Sequence, residues 1–232
     1  NILGRLTKQE DYEEQVEIDL EVNNNILIFI MKSPNPQLAL SPIQREILVG
    51  GLLGDLAIYR AKATHNARLY VQQGAVHKEY LNHLYSVFQN LCSSEPKWSF
   101  SLNKRNNRTY ETLRFNSRSL PCFNYYREVF YPEGIKIVPA NIGELLTARG
   151  LAYWCMDDGN KDRGNFRLAT LSFSRNDVLL LIKVLKENFS LDCSLNTVKS
   201  TQYRIYVKAN SMVQFRALVS PYFHPSMLYK LQ

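Results

Sequence analysis

Two apolar stretches, Leu48-Val-Gly-Gly-Leu-Leu-Gly-Asp55 and Leu151-Ala-Tyr-Trp-Cys-Met-Asp-Asp158, constrain this chain more than any other feature. Each reads as the last turns of an apolar helix that stops on a carboxylate. A helix C-terminus carries partial negative charge, so an aspartate there costs about 0.3–1 kcal/mol unless a positive charge offsets it. Two such aspartates at equivalent positions, 103 residues apart, imply a repeated unit and a cation shared between its copies. The first stretch adds an anomaly. Gly50, Gly51 and Gly54 each cost about 1 kcal/mol relative to alanine inside a helix. Such a cluster makes sense where another backbone comes very close, and 142–158 supplies the partner, with Ala152 and Cys155 as its small residues.

The rest of the chain fits a duplication. Ser41-Pro42 marks a helix start, Ser capping free amides and Pro fitting the first turn. After Asp55 the period changes to two. Arg68, Tyr70 and Gln72 alternate with Leu69 and Val71, and Trp98, Phe100 and Leu102 with Ser99, Ser101 and Asn103. Leu113 and Phe115 alternate with Tyr110, Thr112, Arg114 and Asn116, so these are half-buried strands. Between them, 77–92 sets Leu81, Leu84, Phe88 and Leu91 on one helical face, and a second helix falls at 120–130. The second half repeats the plan. A strand near 166–173 follows Asp158, then a helix over 176–189, strands near 193–199 and 203–208, and a helix near 212–222. Both halves end alike, Phe130-Tyr-Pro132 preceding Lys136 and Tyr222-Phe-His-Pro225 preceding Lys230. The expected fold is α+β, a duplicated helix–ββ–helix–ββ–helix unit with the two acid-tipped helices at its pseudo-two-fold axis. It divides into an acidic N-terminal arm over 1–40, a first subdomain over 41–140 and a second over 141–232.

Charge follows the same division. Residues 1–40 carry a net −4 and residues 41–232 a net +11, which suits a polyanionic partner for the body. The polar strand faces and their loops are the expected contact surface. Arg68, Tyr70, Gln72, Lys104, Arg105, Arg108 and Arg114 fall in the first half, and Lys161, Arg163, Arg167, Lys199, Arg204 and Lys208 in the second. Arg and Gln are side chains that read base edges in a major groove. The stretches 103–108 and 160–164 are expected loops reaching phosphate or flanking bases. The cysteines at 92, 122, 155 and 193 show no metal spacing and suit reduced core positions in an intracellular protein. His65, His77, His83 and His224 show none either, which disfavours a histidine-dependent nuclease. The apolar run 26–31 is too short to span a bilayer. Asp157-Asp158-x-x-Lys161 faintly matches a restriction-enzyme core, but there the acids sit on strands.

Gly51-Leu-Leu-Gly-Asp55 and Leu151-Ala-Tyr-Trp-Cys-Met-Asp-Asp-Gly159 resemble the paired signatures of single-chain LAGLIDADG homing endonucleases, in the branch of the yeast mitochondrial omega-intron endonuclease. The ending Pro221-Tyr…Pro225…Met227-Leu-Tyr-Lys-Leu231 is similar to that branch too, and the likeness covers roughly 43–231. The resemblance implies a saddle-shaped αββαββα pseudo-dimer with two packed signature helices and two mostly antiparallel sheets along the DNA major groove. It implies a monomer that binds a long asymmetric double-stranded site and cuts one phosphodiester per strand across the minor groove, starting intron mobility. Two or three Mg²⁺ ions would be shared by Asp55 and Asp158, with Mn²⁺ or Ca²⁺ as substitutes. The backbone carbonyls of Gly54 and Asp157 would be secondary ligands, and Lys136 and Lys230 the basic residues near each catalytic centre. Organellar residence, in mitochondrion or chloroplast, follows from the same branch. Two departures stand out: Leu56 replaces the glycine after the first acid, and Asp157 adds a carboxylate beside Asp158 that makes the halves electrostatically unequal. A maturase assisting the splicing of its host intron RNA is the competing function on this scaffold, and a non-cleaving DNA-binding regulator a third.

Overall fold

The computed structural model describes residues 38–103 and 107–232. Residues 1–37 of the arm expected over 1–40, and Lys104 and Arg105, lie outside the described residues, as does the side chain of Arg108. Residues 40–232 form one compact unit.

Helix α1 (Pro42–Leu53) starts at the cap expected at Ser41, which the structure extends to a full capping box. The Ser41 hydroxyl accepts the Gln44 amide, and the Gln44 side chain accepts the Ser41 amide at 2.9 Å. Strands β1 (Ala57–Tyr59) and β2 (Arg68–Gly74), helix α2 (Lys78–Phe88), strands β3 (Lys97–Asn103) and β4 (Arg108–Asn116), and helix α3 (Asn124–Phe130) complete the first half. After a short α4 (Ile142–Leu145), the second half runs α5 (Ala148–Asp158), β5 (Gly159–Asp162), β6 (Asn165–Ala169), α6 (Arg175–Phe189), β7 (Cys193–Lys199), β8 (Gln202–Val207) and α7 (Met212–Val219). The strand orders β1-β2-β4-β3 and β5-β6-β8-β7 are the same circuit drawn twice, antiparallel throughout. The duplication is therefore real, and its symmetry relates α1 to α5.

Each sheet buries one face. Leu69, Val71, Leu113 and Phe115 pack beneath α2, whose Tyr80, Leu81, Leu84 and Phe88 are buried. Phe166, Leu168, Ile205 and Val207 are their counterparts, with α6 and α7 supplying Val178, Leu181, Leu185 and Phe215. Among the described residues no helix is long and apolar enough to cross a membrane.

Three expectations need correction. The helix foreseen over 142–158 is two helices, because Thr147 caps a fresh start. Its hydroxyl accepts the Gly150 amide at 3.1 Å and donates to Glu46 on α1 at 2.9 Å. The loop foreseen at 160–164 is a β-hairpin instead. Arg163 and Gly164 both take positive φ, 47° and 88°, the two-residue turn whose twist matches its flanking strands. On β3 the apolar residues are not covered: Trp98, Phe100 and Leu102 are 48%, 64% and 56% exposed. α2 packs on β2 and β4, and β3 lies at the sheet edge past them.

Candidate active site

Helices α1 and α5 bring their ends together, and the glycines explain how closely. A Cβ on Gly50 would stand 1.9 Å from the Gly150 carbonyl oxygen, and one on Gly54 would stand 2.5 Å from the Asp157 Cβ. The small partner of Gly50 is therefore Gly150, rather than Ala152 or Cys155. Gly51 serves a local purpose: its missing side chain leaves the space filled by Leu56, whose Cδ2 would lie 2.6 Å from a Cβ there. That accounts for a leucine at 56, where the second half has Gly159, wedged against Cys155 and the Phe166 ring.

At the end of α1 the chain leaves the helix in a tight turn. The Gly54 amide donates to the carbonyls of Gly50 and Gly51, and the Leu56 amide donates to Gly51 at 2.8 Å. The Asp55 amide donates instead across the helix pair, to Asp157 Oδ2 at 3.1 Å. Asp55 is exposed, and its carboxylate accepts the Gln73 side-chain amide at 2.9 Å. In the sequence Gln73 shows only as a polar residue breaking the apolar series Leu69–Val71 on β2.

The misfit of an acid at a helix C-terminus is answered by two lysines at matching positions. Lys136 Nζ donates to the carbonyls of Gly54, at 2.7 Å, and Leu56, at 3.1 Å. Lys230 Nζ donates to those of Met156 and, at 2.9 Å, Asp157. Each ammonium thus neutralises the negative end of one signature helix. The carbonyls of Gly54 and Asp157, expected as secondary metal ligands, each already accept a lysine and keep one lone pair.

The three carboxylates crowd one another. Burial pushes the Asp158 carboxyl up to about 7, and the Asp55 charge adds to this, against the pull of Lys136 and Lys230. Asp157 is also raised well above the usual range, by burial first and Asp55 second. Burial lowers both lysines, and the three aspartates oppose that shift. His77, half-buried, is lowered by burial and then by Lys230, so it too stands near the centre. Behind Asp157 lies the fully buried Tyr80, whose hydroxyl is raised by burial and then by the Asp157 charge. Tyr80 packs against Tyr153 and His224, and His83 Nε2 lies 2.6 Å from the Tyr153 hydroxyl. The histidines at 83 and 224 thus pack around the helix pair.

The basic residues divide by sheet face. Strand register puts Arg68, Tyr70, Gln72 and Arg114 on the face of the first sheet away from α2, with Lys97 opposite Arg114 as an unforeseen addition. Arg68 lies over the Tyr59 ring, and Tyr70 donates to Gln72. In the second sheet Arg167 and Arg204 share the corresponding face, where Arg167 pairs with Asp162 at 3.4 Å. Arg163 is exposed in the hairpin turn, Lys199 is exposed at the end of β7, and Lys208 pairs with Asp192 at 2.9 Å just past β8. Lys161 is the exception. Its register partner is buried Phe166, which puts it on the side of the sheet away from Arg167.

Comparison with known proteins agrees with this architecture. The family model described as LAGLIDADG DNA endonuclease matches residues 45–215. Among relatives, the chain is 31% identical over 190 residues to cytochrome b mRNA maturase bI2 of Debaryomyces hansenii, covering 80% of this chain and 72% of that one. It is 33% identical over 202 residues to a probable intron-encoded endonuclease 1 of Wickerhamomyces canadensis, covering 83% and 85%. The homing endonuclease I-WcaI, solved bound to its DNA recognition sequence, superposes with a TM-score of 0.79 at 29% identity, covering 88% of this chain and 96% of that one. With its matched signature helices, duplicated sheets and these relatives, the chain belongs to the LAGLIDADG DNA endonuclease family.

Proposed function

We propose that this protein is a site-specific double-stranded DNA endonuclease that hydrolyses one phosphodiester in each strand with divalent metal, Mg²⁺ in the cell, and so starts the mobility of its host intron. The observation that carries the reading is the composite centre, with Asp55 and Asp158 at the ends of two packed helices and Lys136 and Lys230 bonded to those same ends.

The residues suit a hard divalent cation. Mg²⁺ takes oxygen ligands and retains several waters, so one or two carboxylates per ion suffice. Asp55 and Asp158 add an all-oxygen donor set to the Gly54 and Asp157 carbonyls, and burial and Asp55 raise the Asp158 carboxyl against the pull of Lys136 and Lys230, so further positive charge at this point is favourable. Asp55 and Asp158 would hold the metal, with the Gly54 and Asp157 carbonyls as further oxygen donors. When bound, the metal supplies positive charge against the phosphate and acidifies water for attack. Lys136 and Lys230 hold positive charge beside the reacting group, and Gln73 fixes the rotamer of Asp55. The face carrying Arg68, Tyr70, Gln72 and Arg114, with its counterpart bearing Arg167 and Arg204, binds phosphate and base edges along the duplex. Arg163, Lys199 and Lys208 extend that contact at the sheet ends. Because one chain carries both halves of the centre, it acts as a monomer on an asymmetric site. Residence in an organelle is part of the same proposal.

The relationship to a maturase supports a second reading, help in splicing host intron RNA. Incubation with intron-minus insertion-site DNA and Mg²⁺, alongside binding to the host intron RNA, separates the two. A double-strand cut supports the endonuclease. Tight RNA binding with no cut supports the maturase instead.

A further inference from the structure

At the symmetry-related positions 54 and 157 the chain carries glycine and aspartate. Across the α1–α5 contact a side chain at 54 would collide with Asp157, its Cβ 2.5 Å from the Asp157 Cβ and 2.7 Å from Oδ2. Only one side chain fits at this point on the axis, and it belongs to α5. Its carboxylate reaches across the axis, and Oδ2 accepts the Asp55 amide at 3.1 Å. Oδ1 is sealed from solvent and faces the buried Tyr80 hydroxyl, its hydrogen-bonding neighbour. One oxygen is thus engaged and the other enclosed, so the side chain is not open to an arriving ion.

The two candidate metal-binding acids are therefore held by different means. Asp158 remains in the last turn of α5, fixed by the helix itself. Asp55 lies two residues past the end of α1, and its neighbours' amides are spent within the turn. Its own amide is held by Asp157, and no side chain at 54 can return the favour to Asp158. We propose that Asp157 is a positioning residue for Asp55 and governs the cut in one DNA strand more than in the other. The strand effect rests on the endonuclease reading above; the positioning of Asp55 does not.

The test uses the full chain in three forms: Asp157→Ala, which removes the acceptor; Asp157→Asn, which keeps an acceptor oxygen; and the exchange Gly54→Asp with Asp157→Gly. In metal-free, DNA-free protein the Asp55 amide resonance should shift in the alanine variant and stay near its original position in the asparagine variant. With Mg²⁺ and strand-labelled target DNA, the alanine variant should cut one strand roughly tenfold or more slowly, the loss typical of a ligand's supporting partner, and leave the other within about twofold. Asparagine should recover the slow strand. Gly54→Asp alone should lower the melting temperature, and adding Asp157→Gly should restore it. An unmoved Asp55 resonance in the alanine variant, or equal slowing of both strands, overturns the proposal. So does a Gly54→Asp single variant as stable as the parent. If the parent cuts neither strand, the endonuclease reading has failed, and the amide shift and the exchange pair still decide whether Asp157 positions Asp55.

Discussion

A carboxyl raised to about 7, as that of Asp158 is, links proton binding to folding in a definite direction. An unfolded aspartate releases its proton near pH 3.9. Between that pH and about 7 the native state therefore binds more protons than the unfolded state, and stability falls as pH rises. Asp157, shifted the same way, adds to the slope. In EDTA, the unfolding free energy from urea titrations should decline from about pH 4 to pH 7 with a slope approaching about 1.4 kcal/mol per unit for each such proton. Asp158→Asn should flatten that decline, and Mg²⁺ should flatten it in the unmodified protein. An unfolding free energy that rises over this range would show that the carboxyls are not held protonated.

At the level of elements, the helix pair is limited by backbone contact. Gly50→Ala should destabilise the protein by about 1–3 kcal/mol despite alanine's better helix propensity, because its Cβ would lie 1.9 Å from the Gly150 oxygen. Gly74→Ala is the control: a Cβ there meets nothing within 4 Å, and the expected change is within about 0.5 kcal/mol. Thermal melts of the two variants check both. What the sequence disclosed at this scale follows the range of the forces involved. The Ser41-Pro42 start, the apolar stripe of α2 and the two acid-tipped helices are local patterns, and all were readable. The contact of Gly50 with Gly150 depends on how two helices cross, which spacing does not encode. The 159–169 hairpin escaped because Arg163 gives little sign of a positive φ, even though Gly164 follows it. Trp98, Phe100 and Leu102 alternate as a half-buried strand should, but their exposure depends on where α2 stops covering the sheet. Within the site, Asp55, Asp158, Lys136 and Lys230 stood out through repetition. Gln73 and the side-chain role of Asp157 did not, since each acts on a single copy and breaks the symmetry that made the others visible.

Over the whole molecule, the duplicated sheets give two cationic faces and one shared centre. If the residues on those faces contact six to ten phosphates, affinity for target duplex should fall by about 10³–10⁵ between 50 and 200 mM salt. Fluorescence anisotropy at several salt concentrations measures this. Arg114→Ala and Arg167→Ala should lower the slope or relax specificity, whereas Lys161→Ala, on the opposite side of its sheet, should do neither. The most direct test of the central claim, that Asp55 and Asp158 form one composite centre serving both strands, is strand-resolved cleavage of intron-minus target DNA in Mg²⁺ by the parent, Asp55→Asn and Asp158→Asn. The parent should cut both strands, and each variant should bind the duplex with near-parent affinity yet lose the double-strand cut by about 10²-fold or more. A variant that binds and still cuts both strands at the parent rate would contradict the account.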